Sequence, residues 1–390
     1  MNIFNNTQEQ IKGENDEPPL PPVKDFNDWH WQVRNSITSL EELSKYITLT
    51  DEEKIDSPLL KLRITPYYAR LLSTAAIRKC VVPTTQELNV SPCEAADSLA
   101  EERDRKTPNI IHRYPDRILF LVTNLCTSNC RYCTRSRLID NPKHSVSHEW
   151  KESFEYIRNH PEVRDVLISG GDPLMLSDQS LDYLLKNLYA IPTVEIVRIG
   201  TKIPIVLPMR ITDGLISVLE KYSPLYINIH ATHPAEITPE ATQALLALSR
   251  RGHAVLGSQT VCLAGINDSA EVLGELFKSL LRISVKPLYL YNMDLVPGSS
   301  HFRVPISKIL EIMRELIGKI SGLSIPHFVC DLPGGGGKTP LVPNYIEKIE
   351  GNEYYFKNWN NKSYRFIDQP YSPVKLPGGG ETKRCYYPAN

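Results

Sequence analysis

The stretch RILFLVTNLCTSNCRYC, residues 117–133, is the strongest indication of the fold in this sequence. It opens with an apolar run at 118–122, which predicts a buried strand. Directly after the strand come Cys126, Cys130 and Cys133 in a CxxxCxxC spacing. In parallel α/β architectures, the residues that follow a strand lie at its carboxyl end, where functional sites are built. The stretch therefore predicts a buried parallel strand that ends in a reactive loop.

The spacing of these cysteines is typical of an iron–sulfur site. Thiolates from Cys126, Cys130 and Cys133 would cover one face of a [4Fe–4S] cubane and leave one iron open, whereas an electron-transfer cluster takes a fourth cysteine. An open iron can bind the amino and carboxylate groups of S-adenosylmethionine. A structural zinc site is the alternative, with His144 or His148 as its fourth ligand, although the CxxxC spacing is unusual for zinc. Three inert buried cysteines are a third interpretation.

Outward from this stretch, strands and amphipathic helices alternate. Thr238 and Pro239 are typical of the start of one helix, and Asp268 with Glu271 of the start of the next. Further apolar runs predict strands at 165–168, 194–199, 225–229, 254–262, 285–291 and 327–332. Six or seven β-α units in series favour an α/β fold, a partial (β/α) barrel, over an open nucleotide-binding sheet.

The sequence divides into four predicted regions. Residues 1–25 are typical of a flexible, proline-rich arm. Residues 26–112 are expected to be a mainly helical N-terminal region. Residues 113–345 carry the partial barrel and its site, and residues 346–390 are interpreted as an irregular C-terminal extension.

Composition and charge exclude several classes of protein. The 390 residues are 41% hydrophobic and 23% charged, with a net charge of −1, as in soluble globular proteins. This balance gives no basic surface for nucleic acid, and no apolar stretch approaches the roughly 18 residues of a membrane span. The N-terminus lacks the features of a signal peptide. Eight cysteines are too few for a disulfide scaffold, so we expect a cytoplasmic protein.

A second motif follows the strand at 165–168. Ser169, Gly170, Gly171 and Asp172 come directly after it. Two glycines at a strand end would let a ligand approach the backbone closely, and the aspartate could accept a hydrogen bond from an ammonium group. Alone the motif is weak, but one β-α unit after the cysteine loop it indicates a cofactor site.

A glycine run precedes a lysine in GGGGKT, residues 334–339. A phosphate loop would need glycine at position 332, where Leu332 stands, and a helix where Pro340 and Pro343 follow. A lysine on a glycine hinge could instead form a Schiff base with pyridoxal phosphate. From spacing alone, a surface loop is almost as good an interpretation of Lys338.

Several long motifs in order resemble a known family. The cysteine loop and the SGGD segment resemble the radical S-adenosylmethionine superfamily. From Phe26 to about Tyr345 the chain is similar to lysine 2,3-aminomutase, in the segments NDWHWQVRN, ITPYY, HRYPDR, CRYCTR, VRDVLISGGD, VEIVRIGTK, HPAEIT, GINDS, HFR and DLPGGGGKTPLVPNY. The resemblance implies a partial barrel of the radical S-adenosylmethionine type.

The resemblance also implies a role for each site residue. Lys338 would anchor pyridoxal phosphate, and Arg135 would bind the α-carboxylate of the substrate. Arg113 and Arg117 would bind the phosphate of pyridoxal phosphate, and Gln259 would lie between the two cofactors and contact both. Ser169, Gly170, Gly171 and Asp172 would bind the methionine end of S-adenosylmethionine, and Asp294 and Asp331 would bind the distal amine of the substrate.

The implied reaction is a 2,3-amino shift on a basic amino acid, with L-lysine first and arginine second. Asp294 and Asp331 would repel the side chain of glutamate. The electron donor would be of the flavodoxin or ferredoxin type. From other classes, a radical enzyme without pyridoxal phosphate and a non-catalytic iron–sulfur or zinc protein remain alternatives.

Three positions depart from the family pattern. Ser269 stands where the family has a cysteine, and the C-terminal tail holds only Cys385, so we expect no intersubunit zinc in any homo-oligomer. Tyr132 replaces the histidine that is common before the third cysteine. The side chains of His230 and His233 either face the pocket or form hydrogen bonds within the core, and the sequence leaves both interpretations open.

Overall fold

The structure is a computed structural model that describes residues 25–55, 57–139, 141 and 149–368. Most of the proline-rich arm, the zinc-ligand candidates His144 and His148, and Cys385 lie outside the described residues. The chain divides into two compact units between Val342 and Pro343. In the described part of the chain, no helix is long and apolar enough to cross a membrane.

The larger unit contains a sheet of nine strands. They are β1 (Ile110–Tyr114), β2 (Arg117–Thr123), β3 (Asp165–Gly170), β4 (Ile196–Thr201), β5 (Leu225–His230), β6 (Val255–Val261), β7 (Val285–Tyr291), β8 (His327–Leu332) and β9 (Gly337–Pro340). Spatial order follows chain order. Neighbours from β2 to β8 pair in parallel. The predicted strands and the partial α/β barrel are confirmed.

The helices lie before and between these strands. They are α1 (Trp29–Arg34), α2 (Leu40–Leu43), α3 (Pro66–Ala69), α4 (Ala75–Val81), α5 (Lys151–Arg158), α6 (Asp178–Tyr189), α7 (Ile203–Val206), α8 (Asp213–Leu219), α9 (Pro239–Arg250), α10 (Ala270–Arg282) and α11 (Ile306–Leu316). The N-terminal region is less helical than expected, because α1 to α4 are short and turns separate them. Pro66 begins α3 and Pro83 follows the end of α4, as the missing amide of proline requires.

Two helix starts test the capping predictions. The side chain of Thr238 accepts a hydrogen bond from the Ala241 amide, and Pro239 is the first residue of α9, as predicted. The start of α10 was predicted wrongly: Ser269, not Asp268, accepts from the amide of Val272. Asp268 instead accepts from the amide of Gly265 in the preceding turn, so its carboxylate is already engaged.

The two edge strands were missed by the sequence analysis. β1 pairs antiparallel with β2, and β9 pairs antiparallel with β8. The hydroxyl of Tyr114, the last residue of β1, accepts a hydrogen bond of 2.7 Å from the backbone amide of Lys338 in β9. A side chain therefore joins the first and last strands of the sheet.

The smaller unit differs from the irregular extension that was expected. It contains an antiparallel sheet of three strands, β10 (Ile346–Glu350), β11 (Glu353–Lys357) and β12 (Ser363–Ile367). Aromatic residues in these strands favour the extended conformation, and Gly351 supplies the positive φ of 60° that the turn between β10 and β11 needs.

Candidate active site

Two cavities of about 430 and 160 Å³ adjoin the parallel strands; the smaller lies at their carboxyl ends, and the larger also reaches Arg117 and Asp165 at the amino ends of β2 and β3. They share Arg135, Ser169 and His230 in their linings, so they adjoin. The larger cavity is also lined by Arg113, Arg117, Gln259, Asp294, Asp331 and Lys338. The smaller is also lined by Cys126, Cys130, Cys133, Gly170, Gly171 and Asp172. The structure thus brings every predicted site residue to one of two neighbouring cavities.

The cysteine loop is held by contacts that need no metal. The backbone amide of Asn129 donates to the Arg63 carbonyl at 2.9 Å, and its side-chain amide donates to the Lys61 carbonyl at 2.9 Å. Arg131 forms a buried ion pair with Glu87. The N-terminal region therefore fixes the backbone on both sides of the second cysteine, Cys130.

The chemistry of the loop suits a positively charged cluster. Burial, and next the neighbouring Cys130, raise the pKa of the Cys133 thiol to about 11, so thiolates need a cation here. Among the described residues, no group of three or more His, Cys, Asp or Glu side chains is arranged to hold a metal ion. A cubane binds each thiolate to a different iron, so its ligands lie farther apart than those of a single metal ion, and the three cysteines line one cavity.

The glycines of the SGGD segment serve a purpose that the sequence did not indicate. A β-carbon on Gly170, whose φ is +131°, would lie 2.2 Å from the Thr123 carbonyl oxygen, and one on Gly171 would lie 2.3 Å from the Leu125 carbonyl oxygen. Both positions therefore exclude a side chain, because the start of the cysteine loop packs against them. The close approach that the glycines permit is made by the chain itself.

Asp172 connects this segment to the next strand. Its carboxylate accepts from the Leu174 amide at 3.1 Å and the Thr201 hydroxyl at 2.6 Å. It also accepts from the amides of Lys202 and Ile203 at 2.7 and 3.2 Å. Burial raises the pKa of Asp172 against the lowering effect of these donors. Four donors occupy the carboxylate that was predicted to receive an ammonium group.

A buried network lies behind the cysteine loop. The ammonium of Lys202 donates to Glu236 at 2.7 Å and to the Thr232 hydroxyl at 3.2 Å. The hydroxyl of Tyr68 also donates to Glu236, at 2.5 Å. Tyr132, the residue that departs from the family pattern, places its hydroxyl 2.8 Å from that of Thr232. The loop is thereby joined to the ends of β4 and β5.

Arg135 follows the third cysteine and points between the cavities. Its guanidinium donates from Nε to Glu101 at 2.9 Å, and its Nη1 lies 3.4 Å from the Ser169 hydroxyl. Glu101 also accepts from Arg137 at 3.0 Å. The sequence analysis did not identify Glu101, because in the run EERDR it resembles a solvated charged face.

Lys338 lies in β9 rather than on a flexible loop. Its register partner on β8 is Asp331, and its ammonium lies 2.9 and 3.1 Å from the two carboxylate oxygens of that residue. The same ammonium is 4.3 Å from the ring centre of Tyr291 and 5.4 Å from that of Tyr289, within the range of cation–π attraction. Tyr289 and Tyr291 were not predicted as site residues. They stand two positions apart on β7, a spacing that places both side chains on one face of a strand, and this spacing was the available signal in the sequence.

Asp294 lies near this pair in the same cavity. Thr134 donates from its hydroxyl to the Asp294 carboxylate at 2.6 Å. Burial raises the pKa of Asp294 to about 6, with Thr134 acting in the opposite direction and the negative charge of Asp331 adding to the increase. Two carboxylates thus share one partly buried space, where a further cation would be favoured.

The two arginines of HRYPDR enter the larger cavity from the first hairpin. Arg113 donates from Nε to Asp104 at 2.6 Å and also contacts the Leu99 carbonyl. The guanidinium of Arg117 lies 4.1 Å from the ring centre of Tyr114, and its side chain is 41% exposed. Their positive charges suit an anion at this side of the cavity.

Gln259 and His230 are register partners on β6 and β5. Burial, followed by the charges of Lys202 and Arg135, lowers the pKa of His230 to about 4, so its imidazole is neutral near pH 7. His233 instead accepts a hydrogen bond from the Ala235 amide at the start of a short turn. Of the two histidines, His230 therefore faces the cavities.

Comparison with known proteins adds independent findings. Residues 120–273 match the family model of the radical SAM superfamily, and residues 313–364 match that of lysine-2,3-aminomutase. L-lysine 2,3-aminomutase of Clostridium subterminale is 46% identical, over 86% of this chain and 82% of that protein. Glutamate 2,3-aminomutase of Clostridioides difficile is 40% identical, over 90% of this chain and 85% of that protein. The structure of Streptococcus suis SuiB bound to S-adenosylmethionine covers 56% of this chain and 51% of that chain, at a TM-score of 0.42 and 12% identity, which is too low to carry an argument.

Proposed function

The chain belongs to the lysine 2,3-aminomutase family of the radical S-adenosylmethionine superfamily, and on that premise we propose that it converts free L-lysine to L-β-lysine. As a member of this family, it is an isomerase that uses a [4Fe–4S] cluster and S-adenosylmethionine. Pyridoxal phosphate, the choice of lysine and the role of each residue belong to the proposal. The observation that carries it is a single cavity lined by Arg135, Asp294, Asp331 and Lys338.

Cys126, Cys130 and Cys133 would hold the cluster, and the backbone of Ser169 to Gly171 would face the methionine end of S-adenosylmethionine. Asp172 would position that backbone, since its carboxylate already accepts four hydrogen bonds. An electron carrier of the flavodoxin or ferredoxin type would supply the reducing electron.

Lys338 would hold pyridoxal phosphate, with Arg113 and Arg117 at its phosphate and Gln259 between the two cofactors. When bound, the cluster and S-adenosylmethionine supply a carbon-centred radical, and pyridoxal phosphate supplies a conjugated ring that stabilises the amino shift. The chain contributes orientation, because the substrate is held at both ends, and it excludes water from the reacting atoms.

The aspartates favour a substrate with a distal cation. In the structure, Asp331 accepts a primary ammonium, that of Lys338, at 2.9 Å. If Lys338 holds pyridoxal phosphate, its Nζ would no longer be a free ammonium paired with Asp331. Asp331 and Asp294 would then bind the ε-ammonium of L-lysine, while Arg135 binds its α-carboxylate through two parallel hydrogen bonds.

The same charges disfavour the substrate of one relative. Glutamate would place a third carboxylate beside Asp294 and Asp331, and such like-charge contacts cost several kcal/mol. Arginine carries a suitable cation, but its planar guanidinium is wider than an ammonium group. We therefore rank lysine first and arginine second.

A substrate panel tests the proposal. Enzyme with a reconstituted cluster is reduced anaerobically and given S-adenosylmethionine, pyridoxal phosphate, and L-lysine, L-arginine or L-glutamate in separate reactions. We expect the β-isomer of lysine as the main product, identified by chromatography against standards. Turnover of arginine or glutamate but not lysine would contradict the choice of substrate, and no β-isomer from any amino acid would contradict the reaction.

A further inference from the structure

One segment of the chain contacts three parts of the candidate site. It comprises Asp97 to Asp104, precedes β1, and is called the acidic segment below. Leu99 and Glu101 of this segment line the larger cavity. We infer that the acidic segment positions the site, and that Glu101 in particular aligns Arg135 for the substrate carboxylate; this inference rests on the proposed function.

Glu101 is buried, with only 3% of its surface exposed. Burial alone would raise the pKa of its carboxyl, but the charges and hydrogen bonds of Arg135 and Arg137 outweigh burial and lower it. The carboxylate is therefore ionised at neutral pH and compensates two guanidinium groups. A buried charge with two such partners is a rigid point of attachment rather than a mobile surface group.

The contact geometry gives Arg135 a defined orientation. Nε and Nη2 lie 2.9 and 2.7 Å from the same oxygen of Glu101, so the side edge of the guanidinium is occupied. Nη1 lies on the opposite side, 3.4 Å from the hydroxyl of Ser169, a residue that lines both cavities. The end edge of the guanidinium, Nη1 and Nη2, is thus presented to the cavity for an incoming carboxylate.

The same segment reaches the cofactor side of the cavity. Asp104 pairs with Arg113 at 2.6 Å and with Arg103 at 2.9 Å. Arg103 donates to the Gly334 carbonyl at 2.9 Å, and the Gly334 amide donates to the Ser98 carbonyl at 3.0 Å. The segment therefore fixes a proposed phosphate ligand and the turn that leads to Lys338.

Glycine is required where this contact is made. Gly335 has a φ of +82°, which strains any side-chain-bearing residue, and a β-carbon there would lie 2.1 Å from Nη2 of Arg103, whose flexible end would have to move. The glycine run was first interpreted as a hinge that lets Lys338 swing. In the structure, the glycine run instead lets the turn pack against the acidic segment. Arg135, the proposed ligand of the substrate carboxylate, and Lys338 are therefore supported by the same segment.

The test compares two substrates that differ only in the group that Arg135 would bind. The specificity ratio is kcat/KM for L-lysine divided by kcat/KM for L-lysinamide, which lacks the carboxylate. In the unaltered enzyme we expect a ratio of about 100 or more, because a buried bidentate charge pair is lost with the amide. In Glu101→Gln the misaligned arginine should reduce the ratio to below about 10, mainly through the KM for lysine.

Glu195→Gln is the control, because Glu195 pairs with an arginine, Arg164, outside the acidic segment and its side chain is 53% exposed. It should leave the ratio unchanged. An equal loss of kcat/KM for both substrates in Glu101→Gln, or no loss, would overturn the inference, because a purely structural defect does not distinguish a carboxylate from an amide. If Glu101→Gln does not fold, as judged by its melting curve, Glu101→Asp keeps the charge, and an unchanged ratio in that variant would overturn the inference equally.

Calorimetric binding separates this inference from the proposed function. If the unaltered enzyme produces no β-lysine, the proposed function fails. The ratio of the dissociation constants for lysine and lysinamide still tests whether Glu101 acts through Arg135. A ratio that falls in Glu101→Gln supports the inference, and one that does not change contradicts it.

Discussion

Two lysine–carboxylate pairs of similar length lie at the candidate active site, one at each of its two cavities. Lys202 and Glu236 are 2.7 Å apart, with side chains 9% and 0% exposed, whereas Lys338 and Asp331 are 2.9 Å apart, with side chains 28% and 17% exposed. Tyr68, Thr232 and Tyr132 complete the first pair with hydrogen bonds. Lys202 also borders the smaller cavity, whereas both members of the second pair line the larger one. Distance alone therefore does not distinguish a structural pair from a functional one; the surrounding partners do.

The largest expected effect comes from removing Lys338, the lysine of the pair that lines the larger cavity. Lys338→Ala should lower turnover by at least about 1,000-fold, because the covalent anchor that we propose could not be replaced by its neighbours. The melting temperature should change little, since the pair is partly exposed. Turnover is measured together with trapping: borohydride should fix pyridoxal phosphate to the peptide that contains Lys338 in the unaltered enzyme. Full activity in Lys338→Ala would contradict the functional role that distinguishes Lys338 and Asp331 from the pair of Lys202 and Glu236.

The buried pair should respond in the opposite way. Lys202→Met leaves Glu236 charged and buried, which should cost about 3–5 kcal/mol of unfolding free energy. The matched control is Lys221→Met, which breaks an exposed pair with Asp182 and should cost less than about 1 kcal/mol. Denaturant unfolding of the protein without cofactors measures both. Equal stability of the two variants would show that Lys202 is not structural.

Adding Glu236→Gln sharpens this prediction. In the double variant with Lys202→Met, the charge is removed from both partners, while the glutamine oxygen can still accept from the amides of Thr232 and His233 and its NH2 can donate to the hydroxyl of Tyr68. Stability should therefore recover relative to Lys202→Met alone. A double variant that is less stable than the single one would indicate that the carboxylate acts independently of the lysine.

The smallest effect is expected from pH. The pKa of Asp294 is raised to about 6, first by burial, so its carboxyl becomes protonated as the pH falls below 6. A cationic substrate binds the ionised form, and kcat/KM for lysine should therefore decline below about pH 6. Asp294→Asn should raise KM about tenfold and remove this decline. Asp213→Asn, at an exposed position, is the control and should retain the profile.

The barrel was predictable where burial governs the sequence pattern. Strands from β2 to β8 are buried runs, and their positions followed from that pattern. The edge strands were missed for a physical reason: β1 ends in the polar residues His112, Arg113 and Tyr114, and β9 contains glycine and proline. Such compositions are typical of turns, and only pairing with β2 and β8 makes them strands.

The candidate site was predictable through motifs, and its supporting contacts were not. The cysteines and Lys338 stand in long recognisable segments. Glu101 lies 34 positions from Arg135, and nothing local indicates that the two residues meet. Asp172 shows the converse: its motif was found, but three of its four donors, Thr201, Lys202 and Ile203, come from a segment that the sequence does not place near it. Long-range contacts decide what a side chain does once the motif has located it.

The two glycines at the end of β3 have a practical consequence for anyone who redesigns this pocket. A saturation library at Gly170 and Gly171 would return failures that look like loss of cofactor binding. The cause would be steric, because any β-carbon there displaces the Thr123 and Leu125 carbonyls and with them the entry to the cysteine loop. A substitution library is better directed at neighbouring positions whose side chains face open space.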